Sequence, residues 1–273
     1  MLMVLMMVSA ACRHAVRQSP PQATIRPFGF QITSGENHYQ IEGYLASDDE
    51  NRGRLPALLV LNGNGGDARQ CIARVGQFTT VGIRVVCISL PGYGKSSGPS
   101  RFVGPQSVEA ARHGLDLVAS RADVDASRLA VWGIGDGAAA AGLLMDSDPR
   151  ARAVILQSGA YDMLKLWPEA PIGTKLSILR QVWPSKRLLK ERSVIENLPG
   201  KLKCHVLILH GERDHKAPVK QAEQLANALK QRGAEVETRI FPNGTHQLGD
   251  RVDTVLRNFL RANLAINQAD AVS

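Results

Sequence analysis

Aromatic residues are scarce in this sequence, at 5% of its 273 residues, and no stretch interleaves them with basic residues. Such interleaving is typical of proteins that stack nucleic-acid bases, so we expect no nucleic-acid partner. Internal repeats and low-complexity tracts are also absent. Hydrophobic residues make up 44% of the chain, which is enough to bury one substantial core in a single domain.

Cysteine is rare as well, with only four residues: Cys12, Cys71, Cys87 and Cys204. Their spacing fits no zinc motif, so we expect neither a metal nor a cofactor. The three cysteines after Cys12 do not suggest a disulfide framework. Cys87 stands in an apolar run, and its simplest interpretation is a small buried hydrophobic residue.

The formal net charge is +8. A basic balance of this size favours acidic partners or anionic surfaces but identifies none of them. A solvated basic surface is the simpler interpretation.

The first eleven residues, MLMVLMMVSAA, are almost wholly apolar. This run is too short to span a bilayer as a helix. Residues 1–12 resemble a shortened signal peptide with a lipoprotein cleavage site before Cys12, although no Lys or Arg precedes the run. We expect export to the cell envelope with lipid anchoring on Cys12, and a cytoplasmic protein is the alternative.

Short apolar runs alternate with helical patterns through most of the chain. Residues 26–46 alternate as a hairpin around the turn SGEN. Buried strands are predicted at LPALLVL, IRVVCISL, SRLAVWG, RAVILQSG and HVLILHG, with helices between most of them. The pattern predicts one α/β domain over residues 26–265, with a mostly parallel sheet covered on both faces and a tail at 266–273.

Glycine-rich segments follow the predicted strands, in NGNGG, PGYGKSSG, GIGDG, HGERD and PNGTH. Open parallel sheets bind ligands at the carboxyl ends of their strands. The sequence therefore predicts a functional site at that edge.

Residues 161–203 interrupt the alternation and are interpreted as a small helical lid over the site. This lid segment holds nine basic and four acidic residues, so its net charge is +5. A small anionic ligand is one interpretation of that charge. A solvated helix face on an exposed excursion is the other.

The stretch GIGDG, residues 133–137, is similar to the G-x-S-x-G nucleophile elbow, with Gly135 at the position of the serine. With the motifs around it, the chain resembles the α/β-hydrolase superfamily from about residue 26 to residue 264, closest to the prolyl-oligopeptidase-like and dienelactone-hydrolase-like branch. The resemblance implies a scaffold for hydrolysis of esters, acyl groups or small peptides. At this length we expect no β-propeller of the kind that some peptidases of that branch carry.

Two further motifs place a catalytic acid and base. HVLILHGERDHKAP resembles the turn that carries the acid, at Asp214, and FPNGTHQLG resembles the final loop that carries the base, at His246. The chain order of elbow, acid and histidine is the one expected of this fold, so we expect the two side chains to be neighbours. His210 belongs to the strand-end HG pair, and His215 is expected to be exposed.

An oxyanion hole is implied by the same resemblance. VLNGNGG resembles the H-G-x-x-G turn, with Asn62 where histidine is usual. The backbone N–H groups of Asn64 and Asp136 would then be the two donors. Because Asp136 is one residue beyond the elbow position, its side chain is expected to turn away from the point at which the elbow aims.

Gly135 itself has no atom that can attack a substrate. Ser96, Ser97 and Ser158 follow predicted strands, but they are expected to shape loops rather than to act as nucleophiles. Three hypotheses stay open. The protein is a silent or strongly weakened hydrolase that binds a ligand, an enzyme that works through His246 and Asp214 without a covalent intermediate, or an envelope protein whose lid docks on anionic lipid or on a partner.

Overall fold

The structure of the protein is a computed structural model that describes residues 23–47, 53–63 and 65–266. An eight-stranded sheet runs through it in the order β1-β2-β4-β3-β5-β6-β7-β8. The strands are β1 (Thr24–Ser34), β2 (Asn37–Ser47), β3 (Leu55–Leu61), β4 (Arg84–Ile88), β5 (Val124–Ile134), β6 (Ala151–Gln157), β7 (His205–Gly211) and β8 (Glu235–Phe241).

An antiparallel hairpin forms one edge of the sheet. β1 and β2 pair over their full length, from Thr24 with Ser47 to Ser34 with Asn37, and the tight turn uses Gly35 at φ 61°. β2 is also antiparallel to β4, and the six strands from β3 to β8 pair in parallel. The predicted hairpin and the predicted parallel sheet are both confirmed.

Helices cover both faces, as predicted. α2 (Pro105–Ala119), α3 (Asp136–Ser147) and α7 (Lys220–Gln231) pack on one face, and α1 (Ala68–Val75) and α8 (Asp253–Asn263) pack on the other. Every residue of β3 and β4 is buried between these layers. Continuous apolar runs are the expected signature of strands that are covered on both faces.

Two glycines allow α3 to lie close to the sheet. A Cβ atom at Gly133 would collide with the backbone of Gly137, and a Cβ atom at Gly137 would collide with the carbonyl of Leu61. Glycine at both positions therefore brings the first turn of α3 down onto β3 and β5. This close approach fixes where the turn between β5 and α3 stands.

The lid segment lies between β6 and β7 and contains three short helices, α4 (Met163–Glu169), α5 (Ile172–Leu179) and α6 (Lys186–Glu191). They pack on a small apolar cluster of their own, whose buried members are Phe102, Met163, Leu166, Ala170, Ile178 and Leu189. The segment is thus helical and ordered about its own core. None of the described helices is long and apolar enough to cross a membrane.

Cys71 of α1 and Cys87 of β4 form a disulfide, and both residues are buried. The predicted burial of Cys87 is confirmed, but the expectation that these cysteines form no disulfide was wrong. α1 packs across β4, which brings the two Cα atoms within 6.1 Å although 16 positions separate them in sequence. Cys204 is a free thiol. The lipoprotein-like segment with Cys12 lies outside the described residues, as does the tail beyond Ile266.

Candidate active site

The site lies at the carboxyl ends of the parallel strands, where three turns meet. Gly135 follows β5, Asp214 lies in the turn after β7, and His246 lies in the loop after β8. This is the edge that the glycine-rich segments predicted. Each of these three residues therefore follows a different strand of one sheet.

Asp214 and His246 form a hydrogen-bonded pair. The Nδ1 atom of His246 lies 2.8 Å from Oδ2 of Asp214. The other carboxylate oxygen, Oδ1, accepts the backbone N–H groups of Lys216 and Ala217 at 2.9 and 3.0 Å. A proton on Nδ1 is therefore favoured, and Nε2 is left free to accept a proton from the cavity side.

His210 is a third partner of Asp214. Its imidazole is completely buried, and Nε2 lies 2.7 Å from the Ala217 carbonyl and 3.4 Å from Oδ2 of Asp214. Burial alone would raise the pKa of Asp214. Hydrogen bonds with His210, His246 and the Ala217 N–H outweigh burial and hold the pKa well below its ordinary value. The carboxylate is therefore ionised at neutral pH.

Gly135 forms the sharp turn between β5 and α3. Its backbone has φ 58° and ψ −119°, and its N–H donates to the Gln157 carbonyl at 2.8 Å. Glycine adopts such a conformation without strain. A Cβ atom at this position would lie 3.6 Å from Nε2 of His246 and 3.8 Å from Cα of Gly63, which are ordinary contact distances. The space in front of the imidazole could thus hold a small side chain.

Asp136 is a further acidic residue of the site. Asp136 lines the same cavity as Gly135 and His246, because that cavity extends around the first turn of α3 as far as the lid segment. Its Oδ2 atom is buried and has no hydrogen-bond partner among the described residues. That its side chain turns away from the point at which the elbow aims stays a prediction.

Burial raises the pKa of Asp136 to about 6, and the charge of His246 and the Tyr93 hydroxyl limit the increase. Burial and the neighbouring Asp136 carboxylate in turn raise the pKa of Tyr93 to about 12. Asp136 is thus a second titratable side chain near the imidazole, and its pKa and that of Tyr93 depend on each other. The sequence motif gave no sign of Tyr93, which lies in the loop after β4.

One of the two implied oxyanion donors can be placed. Asp136 is the first residue of α3, so its backbone N–H has no acceptor within the helix. Asn64, the other implied donor, lies outside the described residues. Asn62 stands where the resemblance has histidine, and its side-chain amide donates to the Asp67 carbonyl at 3.3 Å. The Asn62 side chain therefore supports the turn that precedes α1.

Two cavities meet at the His246–Asp214 pair. The larger, of about 630 Å³, lies under the lid segment and is lined by Leu166, Thr174, Ser177 and Ile178 together with His215 and Lys216. The smaller, of about 500 Å³, is lined by Gly63, Gly65 and Gly66 and includes Arg74. Gly135, His246 and Gln247 line both of them. A ligand could therefore extend to either side of the imidazole.

The three serines considered as alternative nucleophiles differ in their hydrogen bonds. Ser96 Oγ donates to the Ser89 carbonyl at 2.7 Å, and Ser97 Oγ accepts the Gln40 N–H at 2.8 Å, so both hold the loop after β4. Ser158 is different, because it has φ 52°, is buried, and lines the larger cavity. Its Oγ has no hydrogen-bond partner among the described residues.

A family model decides the classification. The model of the prolyl oligopeptidase family, Peptidase_S9, matches residues 103–262, which is more than half of the chain. The chain belongs to the prolyl oligopeptidase family. The match includes Gly135, Asp214 and His246, and the family resemblance expected from the motifs is confirmed.

Curated relatives share part of the domain. An uncharacterized peptidase of Bacillus subtilis, YuxL, is 30% identical over 128 residues, which are 46% of this chain and 19% of the relative. An acylamino-acid-releasing enzyme of Arabidopsis thaliana is 33% identical over 107 residues, which are 39% of this chain and 12% of the relative. The chain thus corresponds to less than a quarter of the length of either relative.

Solved structures show the same fold. A puromycin-hydrolyzing peptidase of Mycobacterium tuberculosis superposes with a TM-score of 0.72 at 18% identity, over 89% of this chain and 40% of the peptidase. An esterase of the archaeon Pyrobaculum calidifontis superposes with a TM-score of 0.71 at 17% identity, over 89% of this chain and 87% of the esterase. The protein has the α/β-hydrolase fold that these peptidases and esterases share.

Proposed function

We propose that this member of the prolyl oligopeptidase family binds a small-molecule ligand beside His246 but forms no acyl-enzyme through residue 135. The observation that supports the proposal is Gly135, which stands at the strand-to-helix turn and faces Nε2 of His246 without a side chain. Ester and peptide hydrolysis by a serine hydrolase needs a hydroxyl at that point.

The expected loss of activity is large. In subtilisin, removal of the nucleophile lowers kcat by about 10⁶, and roughly 10³ to 10⁴ of acceleration over water remains from the oxyanion hole and substrate binding. The Asp136 N–H and the two cavities could supply such a remainder. We therefore expect binding to persist while turnover falls far below ordinary enzyme rates.

The charges around the larger cavity suggest which ligand it accepts. Among the described residues that line it, His215, Lys216 and His246 are basic and only Asp136 is acidic, while the Asp214 carboxylate lies behind His246. The lid segment above adds its net charge of +5. We propose a small ligand with an anionic or strongly polar group, whose apolar part lies against Leu166 and Ile178.

Two assays test this function. Wild-type protein is incubated with a fluorophosphonate probe and, separately, with a short-chain aryl ester. We expect no labelling, and ester turnover far below the range of about 1 to 10³ s⁻¹ that is usual for enzymes. Turnover within that range that disappears in His246→Ala would contradict the proposal.

A second candidate function is suggested by the free Nε2 atom of His246. Asp214 is ionised and holds the imidazole so that Nε2 faces the cavity. Such a pair can act as a general base on water or on an acidic substrate without a covalent intermediate. This candidate predicts turnover that depends on His246 with no burst phase and no probe labelling. Inactivity towards esters, lactones and amides would contradict it.

We propose the cell envelope as the location of the protein. The Cys71–Cys87 disulfide supports this, because disulfides persist in oxidising compartments and are rare in the cytosol. The signal-like segment at residues 1–12 points the same way. Cell fractionation tests the proposal, and recovery of the protein with reduced Cys71 in the cytosolic fraction would contradict it.

A further inference from the structure

The outer surface of the lid segment carries a group of exposed apolar side chains. Ile172, Leu176 and Leu179 of α5 are 74%, 47% and 39% exposed, and Trp183, four positions beyond the end of α5, is 79% exposed. We call these four residues the lid face. Among the described residues, only Ile25 and Ile240 are other large hydrophobic residues with comparable exposure. Apolar exposure is thus concentrated within twelve positions of the chain.

The charged residues of the sequence window that holds the lid face are all basic. Residues 171–189 contain Lys175, Arg180, Lys186 and Arg187 and no acidic residue. Within the described part of the chain, no carboxylate lies within ion-pair distance of Arg180, Lys186 or Arg187, and all three are exposed. The carboxylates of Asp162, Glu191 and Glu196 pair instead with Lys165, Arg192 and Lys190. Among the residues that the structure describes, Arg180, Lys186 and Arg187 therefore have no counter-charge.

We propose that the lid face docks on an anionic lipid bilayer. Exposed Leu and Ile on a short helix, an exposed Trp just beyond its end, and Lys and Arg between and after them are the composition of segments that lie in a membrane interface. The basic residues are attracted by anionic headgroups while the apolar residues enter the boundary of the acyl chains. The core of a protein interface, by contrast, is depleted in lysine and other charged residues.

The position of the lid face gives docking a consequence for the site. α5 carries Leu176 and Leu179 on its outer side, while Thr174, Ser177 and Ile178 of the same helix line the larger cavity. A docked lid would therefore hold the roof of the cavity against the bilayer. The inference does not depend on residue 135, because vesicle binding and ester turnover are separate measurements.

Vesicle sedimentation tests the proposal with the full chain. The wild-type protein is mixed with vesicles of phosphatidylcholine alone and with vesicles that also contain phosphatidylglycerol. We expect binding to the anionic vesicles only, weakening as salt is added. We also expect a blue shift of tryptophan emission that Trp183→Phe largely removes, since Trp132 is buried and Trp167 is half-buried against the apolar cluster of the lid segment. Equal binding to both vesicle types, or binding to neither, would overturn the proposal.

Surface variants test whether the lid face or another part of the chain binds the vesicles. Arg180→Gln with Lys186→Gln should weaken binding by about fivefold for each cation removed, whereas Lys220→Gln with Lys230→Gln on α7 should not. Trp183→Ser should weaken binding by about tenfold, whereas Ile240→Ser should not. All variants retain residues 1–22, so any binding through that segment is common to them.

Two outcomes would contradict docking through the lid. One is that the lid variants bind anionic vesicles as tightly as the α7 variant. The other is a concentration-dependent dimer that Trp183→Ser disrupts, measured by sedimentation velocity without lipid, since this would mean that a second copy of the chain covers the lid face. The substituted side chains are exposed, so the variants should fold, and their thermal unfolding checks this.

Discussion

Nε2 of His246 lies 3.6 Å from the point where a Cβ atom of residue 135 would stand, and residue 135 is glycine. On its other side, the imidazole is held by the Asp214 carboxylate. The acid and the base are thus arranged as in a serine hydrolase, while the position that faces them lacks a side chain. Each part of this arrangement can be changed separately by a single substitution.

Asp214→Asn should lower the free energy of unfolding at pH 7 by about 2 kcal/mol, because it removes a buried carboxylate with four hydrogen-bond partners. The pKa of Asp214 is held below its ordinary value, so its contribution is complete above the unfolded pKa of about 3.9 and is lost as the pH falls further. Urea unfolding at pH 7, 5 and 3 measures the difference in the free energy of unfolding between wild type and variant. This difference should be smaller at pH 3.

Asp250→Asn is the matched control for this prediction, since the Asp250 side chain is 90% exposed. It should change the free energy of unfolding little at any of the three pH values. If the free energy of unfolding of Asp214→Asn differs from that of wild type by the same amount at pH 7 and pH 3, the pKa of Asp214 is not lowered in the folded protein.

Asp136→Asn should have the opposite effect, because it should raise the free energy of unfolding at neutral pH. Burial raises the pKa of Asp136 to about 6, so between about pH 4 and pH 6 the folded protein binds more protons than the unfolded chain. Stability is therefore lost as the pH rises through this window. Above it, Asp136→Asn should be more stable than wild type by about 3 kcal/mol.

Urea unfolding at pH 4 and pH 8 measures the effect of Asp136→Asn, with Asp146→Asn at the exposed end of α3 as the control. The stabilisation should be present at pH 8 and absent at pH 4. If Asp136→Asn lowers the free energy of unfolding equally at both pH values, the pKa of Asp136 is not raised by burial.

The Cys71–Cys87 disulfide should stabilise the fold by about 3 kcal/mol, because it closes a loop of 16 positions in the unfolded chain. Cys71→Ala with Cys87→Ala should lower the free energy of unfolding by that amount. Cys204→Ala, which removes the free thiol, should have a smaller effect. Thiol titration of the unreduced, unfolded protein provides an independent check, and reaction of all four cysteines would contradict the pairing.

Much of the fold could be predicted from the sequence because it depends on local patterns. LPALLVL and HVLILHG are continuous apolar runs, and only strands that are covered on both faces need such runs. Asp214 and His246 could be placed for a similar reason, since each follows a strand of the same parallel sheet within a recognisable motif. The carboxyl ends of those strands lie at one edge, so the two side chains had to be close.

What could not be predicted depends on distances through space. Cys71 and Cys87 meet because α1 crosses β4, and their spacing in the sequence carries no trace of that crossing. The burial of Asp136 against Tyr93 depends on how the loop after β4 approaches α3. The lid segment has short apolar pieces without a sustained period, so neither its helix bounds nor the exposure of Trp183 could be derived from the pattern.

The most direct test of the account is fluorophosphonate labelling of Gly135→Ser, with Gly135→Ala as the control. Both side chains meet the same strain at φ 58°, of about 1 kcal/mol or more, but only serine supplies a hydroxyl. We predict labelling of Gly135→Ser, no labelling of wild type or Gly135→Ala, and loss of labelling when His246→Ala is added. Labelling of the wild-type protein, or a folded Gly135→Ser that stays unlabelled, would contradict the claim that the site lacks only its nucleophile.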